Sequence, residues 1–327
     1  MGRSHPSEST KQQPPHYLSE RCVNLNSMVH LLLWEITMAK AVTEFSLSSQ
    51  ELQKFHDLGV VGPFRLLEDS CIEPVHRQLR LAKAKLFFWH RILSRSLVLD
   101  NFLPKTRWGK AKWKKGMHLV SSVTYALSTH AAILDKIESI HGSNILQWGS
   151  MLITQRPSVM HRWHADIDCL ECDGITVWLA LKNVTEMTAM KVITRSHHLP
   201  VHPGQLESSH GLDTSDDNAV LKSARALDST CEINVLDVKP GEFIIFSGQI
   251  WHSIHNRSPQ TRSAITFWYS PTRAKVKMPV DEYQLPIVWD SRPTACCLAR
   301  GTDEYGRNLI VKPLNSRVPK CILKALA

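Results

Sequence analysis

The sequence predicts a mainly β protein with flanking helices, of jelly-roll type. Three observations predict it. Helix signals concentrate before Gly142, six short β-rich runs follow between Ile145 and Ser270, and a turn signal, Lys239-Pro240-Gly241, separates two of those runs. Many short strands after a helical start suit a jelly roll with helices packed outside.

The elements follow in order. The first twenty residues are polar and carry Pro, Ser and Gln, a composition of disorder. We expect residues 1–42 as a disordered N-terminal extension, 43–280 as the working domain, and 281–327 as a C-terminal extension packed on or near the barrel. Ser48-Ser49-Gln50-Glu51 has the form of a capping box opening a helix to about Asp57. A turn and strand over Leu58–Phe64 follow. Ser70-Cys71-Ile72-Glu73 repeats the capping pattern before a longer helix. Asn101–Met117, with Trp108 and Trp113, has no clear period and is expected as a loop. Apolar residues Val123, Leu127, Leu134, Ile137 and Ile140 recur at near-helical spacing up to Gly142. The strands are then expected at Ile145–Gln155, Ile175–Lys182, Met190–Thr194, Cys231–Val238, Glu242–Ser247 and Arg262–Ser270. The polar stretch Glu207–Thr230 is expected as a long loop and a possible lid.

Composition narrows the class. The chain has 327 residues, 43% hydrophobic and 21% charged, enough for one large domain. Formal net charge is +9, and Arg77–Lys115 holds twelve Lys or Arg against the single acid Asp100. A solvated face is the first reading of that cluster, and an anionic partner the second. No aromatic platform or recognised motif accompanies it, so nucleic acid is not expected. The eight cysteines lack the spacing of a disulfide framework and are taken as reduced thiols of a cytoplasmic protein. Cys169-Leu170-Glu171-Cys172 has no second pair and is a poor zinc site. No segment approaches the ~20 apolar residues of a membrane span.

One constellation carries chemistry. His164 and Asp166 in Trp163-His164-Ala165-Asp166 are two apart, and in a strand such residues share a face. His252 follows a strongly apolar strand, 86 residues after Asp166. Two imidazoles and one carboxylate form the facial triad of non-haem Fe(II) oxygenases, with positions left open. A His-x-Asp pair arises by chance, and His161, His197, His198 and His255 compete as ligands. Arg262, ten positions after His252, has the fork that grips a carboxylate, with Arg257 as its rival. Read alone, Trp178 is a core residue of a β run.

Several blocks together are more specific. Trp163-His164-Ala165-Asp166, Val177-Trp178-Leu179-Ala180-Leu181, Ile193-Thr194-Arg195-Ser196-His197-His198, and Gly241-Glu242-Phe243 followed by Trp251-His252-Ser253 through Arg262 stand in this order. With Phe55–Phe64 in front, the stretch from about Phe45 to Pro271 resembles the phytanoyl-CoA dioxygenase family. The resemblance implies a double-stranded β-helix, cupin-like, with Fe(II) as the metal and 2-oxoglutarate and O2 as cosubstrates. It implies His164, Asp166 and His252 as iron ligands and Arg262 on the distal carboxylate of 2-oxoglutarate. It implies Trp178, Ser253 and Met151 as lining residues, with Lys114 as a further contact, a position that also aligns with Lys115. The chain departs from the family in having Arg195 where Gly often precedes the Ser-His pair. The implied activity is hydroxylation of a small-molecule or acyl substrate, free or linked to CoA or a carrier, with release of succinate and CO2. A halogenase of the same superfamily is an alternative, weakened by Asp166, whose place a small residue takes in such enzymes. A non-catalytic binding barrel and a zinc hydrolase complete the alternatives.

Overall fold

The computed structural model describes residues 45–93, 115–167, 174–277, 295–313 and 318, all within one compact unit, Phe45–Ala327. The expected N-terminal extension, the Trp108–Trp113 loop, the Cys169–Cys172 pair and Lys114 lie outside the described residues.

The unit begins with α1 (Ser49–Leu58), closed at its start by the expected capping box. The Ser48 side chain accepts from Glu51 N, and Glu51 reaches back to Ser48 N at 2.8 Å. Gly59 ends it at φ 81°, a backbone angle that suits glycine. Strand β1 (Val60–Arg65) follows, then α2 (Asp69–Leu93). The second expected capping box is not the start of α2. The helix already contains Asp69, so Ser70 sits inside its first turn.

The near-helical apolar spacing from Val123 to Ile140 is carried by two helices, not one continuous one. After α3 (Met117–Val120) come α4 (Ser122–Ser128) and α5 (Ala131–His141). The hydroxyls of Ser128 and Thr129 both donate to Tyr125 O, and the His130 ring accepts from Ala132 N and restarts the helix. An apolar period survives such a break, so periodicity alone does not see it.

The strands are β2 (Ile145–Gln155), β3 (Met160–His164), β4 (Ile175–Lys182), β5 (Met190–Ile193), β6 (Ile233–Leu236), β7 (Glu242–Ser247), β8 (His252–His255), β9 (Arg262–Pro271), β10 (Ala295–Arg300) and β11 (Leu309–Ile310). They form two sheets. One has seven strands in the order β1-β7-β4-β9-β2-β10-β11, the other four in the order β3-β8-β5-β6. The expected jelly-roll class holds, as two facing sheets rather than a closed barrel. β10, from the segment expected as an extension, pairs antiparallel with β2 inside the large sheet.

Each sheet is covered on its outer face. Val177, Leu179, Ile245, Ile265, Phe267 and Tyr269 of the large sheet pack with Leu79, Leu127, Ile133 and Ile137 of the helices. The expected lid is not a loop. It folds as α6 (Pro203–His210) and α7 (Asp217–Leu227). Pro203 opens α6, Gly211 caps it, and the Asp216 side chain accepts from Asn218 N and Ala219 N to cap α7. Val220 and Ala224 of α7 then pack with Trp163, Ile193 and Trp251 behind the small sheet. The facing surfaces of the two sheets meet through Trp178, Ala180, Val192, Ile244, Phe246, Ile254 and Ala264.

Strand β9 is buried along its whole length, because helices cover one face and the small sheet the other. Register builds ladders of side chains across its inner face. Thr176, Trp268 and Gly149 form one rung, Trp178, Thr266 and Met151 the next, and Arg262 pairs with Gln155 further down.

Candidate metal centre

His164 ends β3, and His252 begins β8. The two strands are antiparallel neighbours, and these residues are register partners. Their ring centroids lie 4.2 Å apart, and His252 packs on Phe246 inside the fold. Asp166 lies two residues beyond β3, on a bend rather than in the strand as expected. One ligand-type atom from each residue lies within 4.8 Å of the others, a set able to hold a metal ion.

Hydrogen bonds orient all three groups. His164 Nδ1 donates to Arg162 O at 2.8 Å, and His252 Nδ1 to Ile250 O at 3.0 Å. A carbonyl only accepts, so each Nδ1 carries the proton, and each neutral ring has its lone pair on Nε2. Both Nε2 atoms face Asp166 Oδ1, at 3.8 and 3.9 Å. The other oxygen, Oδ2, accepts from Thr176 Oγ1 at 2.8 Å and Trp268 Nε1 at 2.9 Å.

Electrostatics agree with that arrangement. Burial pulls the His164 imidazole down to about 4, helped by His252, and burial likewise lowers His252. Burial works against ionising Asp166. The two imidazoles and the donors Trp268 and Thr176 outweigh it and leave the carboxyl below its usual value. Two neutral imidazoles around one carboxylate are the donor states that a divalent metal takes.

A second group of side chains lies on the large sheet facing the triad. Arg262 is fully buried. Its Nη1 donates to Gln155 Oε1 at 3.1 Å, and Nε and Nη2 have no hydrogen-bond partner. Its guanidinium sits 4.7 Å over the Trp178 ring, and burial pulls it down to about 10. Trp178 Nε1 and Thr266 Oγ1 are also buried without a partner. Buried donors are normally satisfied, so this concentration marks a place built for an acceptor. Thr266 escaped the sequence reading, because a threonine in an apolar strand gives no signal by itself.

The other expected site residues fall as follows. Met151 is half-buried on the Thr266 rung. Ser253 is buried between His252 and Ile254. Since Ile254 packs inward with Trp178 and Phe246, alternation turns Ser253 to the opposite face, across from Lys191. Lys115, the alternative to Lys114, lies 5.4 Å over the Trp268 ring. Among the rival ligands, His161 stacks on His164 at 3.9 Å, while His197 and His198 share the carbonyl of His56 in a short turn. Arg257, the rival of Arg262, is exposed. The four cysteines among the described residues, Cys71, Cys231, Cys296 and Cys297, are free thiols. Among the described residues no helix is long and apolar enough to cross a membrane.

Residues 106–264 match the phytanoyl-CoA dioxygenase family. The resemblance carried by the sequence blocks therefore holds, and the match spans His164, Asp166, His252 and Arg262. The match covers just under half of the chain, and together with the fold it supports the general dioxygenase/oxygenase class. No curated protein sequence matches the chain. Among solved structures, CytC3 with Fe(II) and alpha-ketoglutarate is 21% identical, with 82% of this chain and 93% of that chain covered and a TM-score of 0.54. The nickel complex of ThoJ, a non-haem monooxygenase, is 20% identical over 84% and 93%, with a TM-score of 0.50. HygX from Streptomyces hygroscopicus, with nickel and 2-oxoglutarate, is 13% identical over 70% and 88%, with a TM-score of 0.51. These likenesses show the shared two-sheet fold.

Proposed function

We propose that this chain is an Fe(II)- and 2-oxoglutarate-dependent dioxygenase that hydroxylates a small-molecule or acyl substrate. The observation that carries the reading is the pairing of two sites on facing sheets. Three oriented donors, His164 Nε2, Asp166 Oδ1 and His252 Nε2, lie opposite a buried Arg262 with two unpartnered nitrogens. A triad alone also suits zinc. The buried guanidinium with two unpartnered nitrogens is what a dicarboxylate cosubstrate would use.

The spacing supports the same cosubstrate. Trp268, which binds Asp166, stands one rung from Thr266 and Trp178, where the Arg262 head lies. Rungs two residues apart are separated by about 7 Å. That separation suits a short dicarboxylate with one end at the triad and the other under Arg262. In this reading Arg262, Thr266 and Trp178 bind the far carboxylate with their unpartnered donors. His164 and His252 present fixed lone pairs, and Asp166 presents one oxygen. When bound, the iron with its cosubstrate would supply the activation of O2, with 2-oxoglutarate converted to succinate and CO2. The chain orients the partners and excludes water on the buried side, while the half-buried Met151 and the 27%-exposed His164 side chain leave an approach for substrate.

Asp166 also favours hydroxylation over halogenation, since its carboxylate occupies the place that a halide needs. Lys115 and the exposed His161 flank the triad and suit a substrate with an acidic group. A screen for succinate release with Fe(II), 2-oxoglutarate and O2, run against free and CoA-linked acids, tests the activity. Substrate-stimulated succinate with a hydroxylated product is expected. A chlorinated product in the presence of chloride, or no turnover with any acid class despite bound metal, would contradict the hydroxylase reading.

A further inference from the structure

Asp166 is the one triad residue that no strand ladder fixes, since it follows the end of β3. Something else must set its carboxylate. Two donors from different strands of the opposite sheet do so, Thr176 from β4 and Trp268 from β9, and both bind Oδ2. Trp268 is in turn placed with care. Its ring stacks on Trp148 at 5.6 Å with 23° between planes, and the Trp148 indole is pinned by donating to Ser270 Oγ at 3.1 Å. The edge of the Trp268 ring lies where residue 149 would carry a side chain. A Cβ on Gly149 would stand 2.7 Å from Trp268 Cε3, closer than real atoms approach. Gly149 therefore admits the ring, and the register break in β2 between Gln147 and Gly149 sits beside it.

We propose that Trp268 is a positioning residue for the metal centre. Its indole N–H, backed by Trp148 and admitted by Gly149, turns the Asp166 carboxylate so that Oδ1 alone faces the two imidazoles. A carboxylate presenting only one oxygen would offer a bound metal a single donor and so leave room for a cosubstrate. A tryptophan that served the core alone would need only apolar neighbours. This one spends its single donor on a ligand-type oxygen. The inference rests on the triad being a metal site.

The test is anaerobic Co(II) binding, followed by calorimetry and by the visible cobalt spectrum, in the wild type, Trp268→Phe and Gly149→Ala. Trp268→Phe keeps the aromatic packing and removes the donor. Gly149→Ala keeps the indole and displaces it. Both variants are expected to bind Co(II) roughly 10- to 100-fold more weakly, the usual cost of losing a partner behind a ligand. Both should also show a shifted cobalt spectrum, which a change in core packing away from the metal would not produce. If Trp268→Phe fails to fold, Gly149→Ala decides alone. Wild-type cobalt binding with unchanged affinity and spectrum in the folded variants overturns the proposal and leaves the metal site standing. No cobalt binding by the wild type overturns the metal site, and the proposal with it.

Discussion

His164 and His252 face each other as register partners across β3 and β8, with ring centroids 4.2 Å apart. Backbone pairing thus sets the distance between two of the three donors before any ion arrives. Each ring is then locked by its own Nδ1–H···O=C bond, to Arg162 and to Ile250. Only Asp166 relies on side chains from the opposite sheet.

Arg262→Leu separates stability from function. The guanidinium is buried with two unpartnered nitrogens, so the protein without cosubstrate gains little from its charge. The variant should melt at or above the wild-type temperature. Its 2-oxoglutarate affinity should fall roughly 10- to 100-fold, as expected for lost hydrogen bonds to a charged group. Arg262→Lys should not restore it, because an ammonium lacks the fork. Calorimetric titration with 2-oxoglutarate in the presence of Fe(II) checks both variants. Unchanged affinity in Arg262→Leu would refute the assignment.

Thr266→Val is nearly isosteric and removes a hydroxyl that has no partner in the fold. Stability should hold within about 1 kcal/mol or improve, since replacing an unsatisfied buried polar group is favourable. Affinity for 2-oxoglutarate should drop by roughly fivefold to tenfold, the worth of about one hydrogen bond. A large loss of stability with unchanged affinity would place Thr266 in the core alone.

Ser253 and Ile254 offer a test of strand alternation. Ser253→Ala should leave 2-oxoglutarate affinity unchanged, because its side chain lies on the face away from His252. Ile254→Ala should cost about 2–5 kcal/mol of stability by emptying part of the core between the sheets. Denaturant titration and cosubstrate binding on the two variants decide it. A Ser253→Ala variant that loses 2-oxoglutarate would reverse the assignment of faces.

Stability should fall with acid. Burial holds His118 and His202 at about 4 in the folded protein, against an ordinary 6.5. Between those values the unfolded chain binds more protons, so the contribution is fully present above pH 6.5 and is lost as pH falls towards 4. Each residue supplies a slope of up to about 1.4 kcal/mol per pH unit. Urea denaturation at pH 7, 5.5 and 4.5 should show that loss, and His118→Gln should flatten it by about one proton. A slope that does not change in His118→Gln would rule out this source.

Much of this was legible in the sequence, and the exceptions have physical causes. Strands β4 and β7 stood out because coverage of both faces makes their runs mostly apolar, and β2 and β9 because aromatic and aliphatic residues dominate them despite buried polar positions such as Gln147 and Thr266. His164, Asp166, His252 and Arg262 were singled out by spacing together with the family resemblance of the blocks around them. The α4–α5 break escaped, since Ser128, Thr129 and His130 end one helix and start another without disturbing the apolar period. The pair α6 and α7 escaped because short helices with many polar residues look like loops. Ser253 was implied as a lining residue by the family resemblance, whereas its direction depends on pleat, which only the paired strands define. Thr266, Trp268 and Gly149 gain their roles from register across β2, β9 and β4, and no linear pattern shows register.

In the proposed function the triad and Arg262 together bind a metal and 2-oxoglutarate. Anaerobic titration of the protein and Fe(II) with 2-oxoglutarate, followed by visible charge-transfer absorption, tests it most directly. A saturable band is expected in the wild type, with none in His252→Ala and a need for much higher 2-oxoglutarate in Arg262→Leu. No band in the wild type, or a band that persists unchanged in His252→Ala, would contradict it.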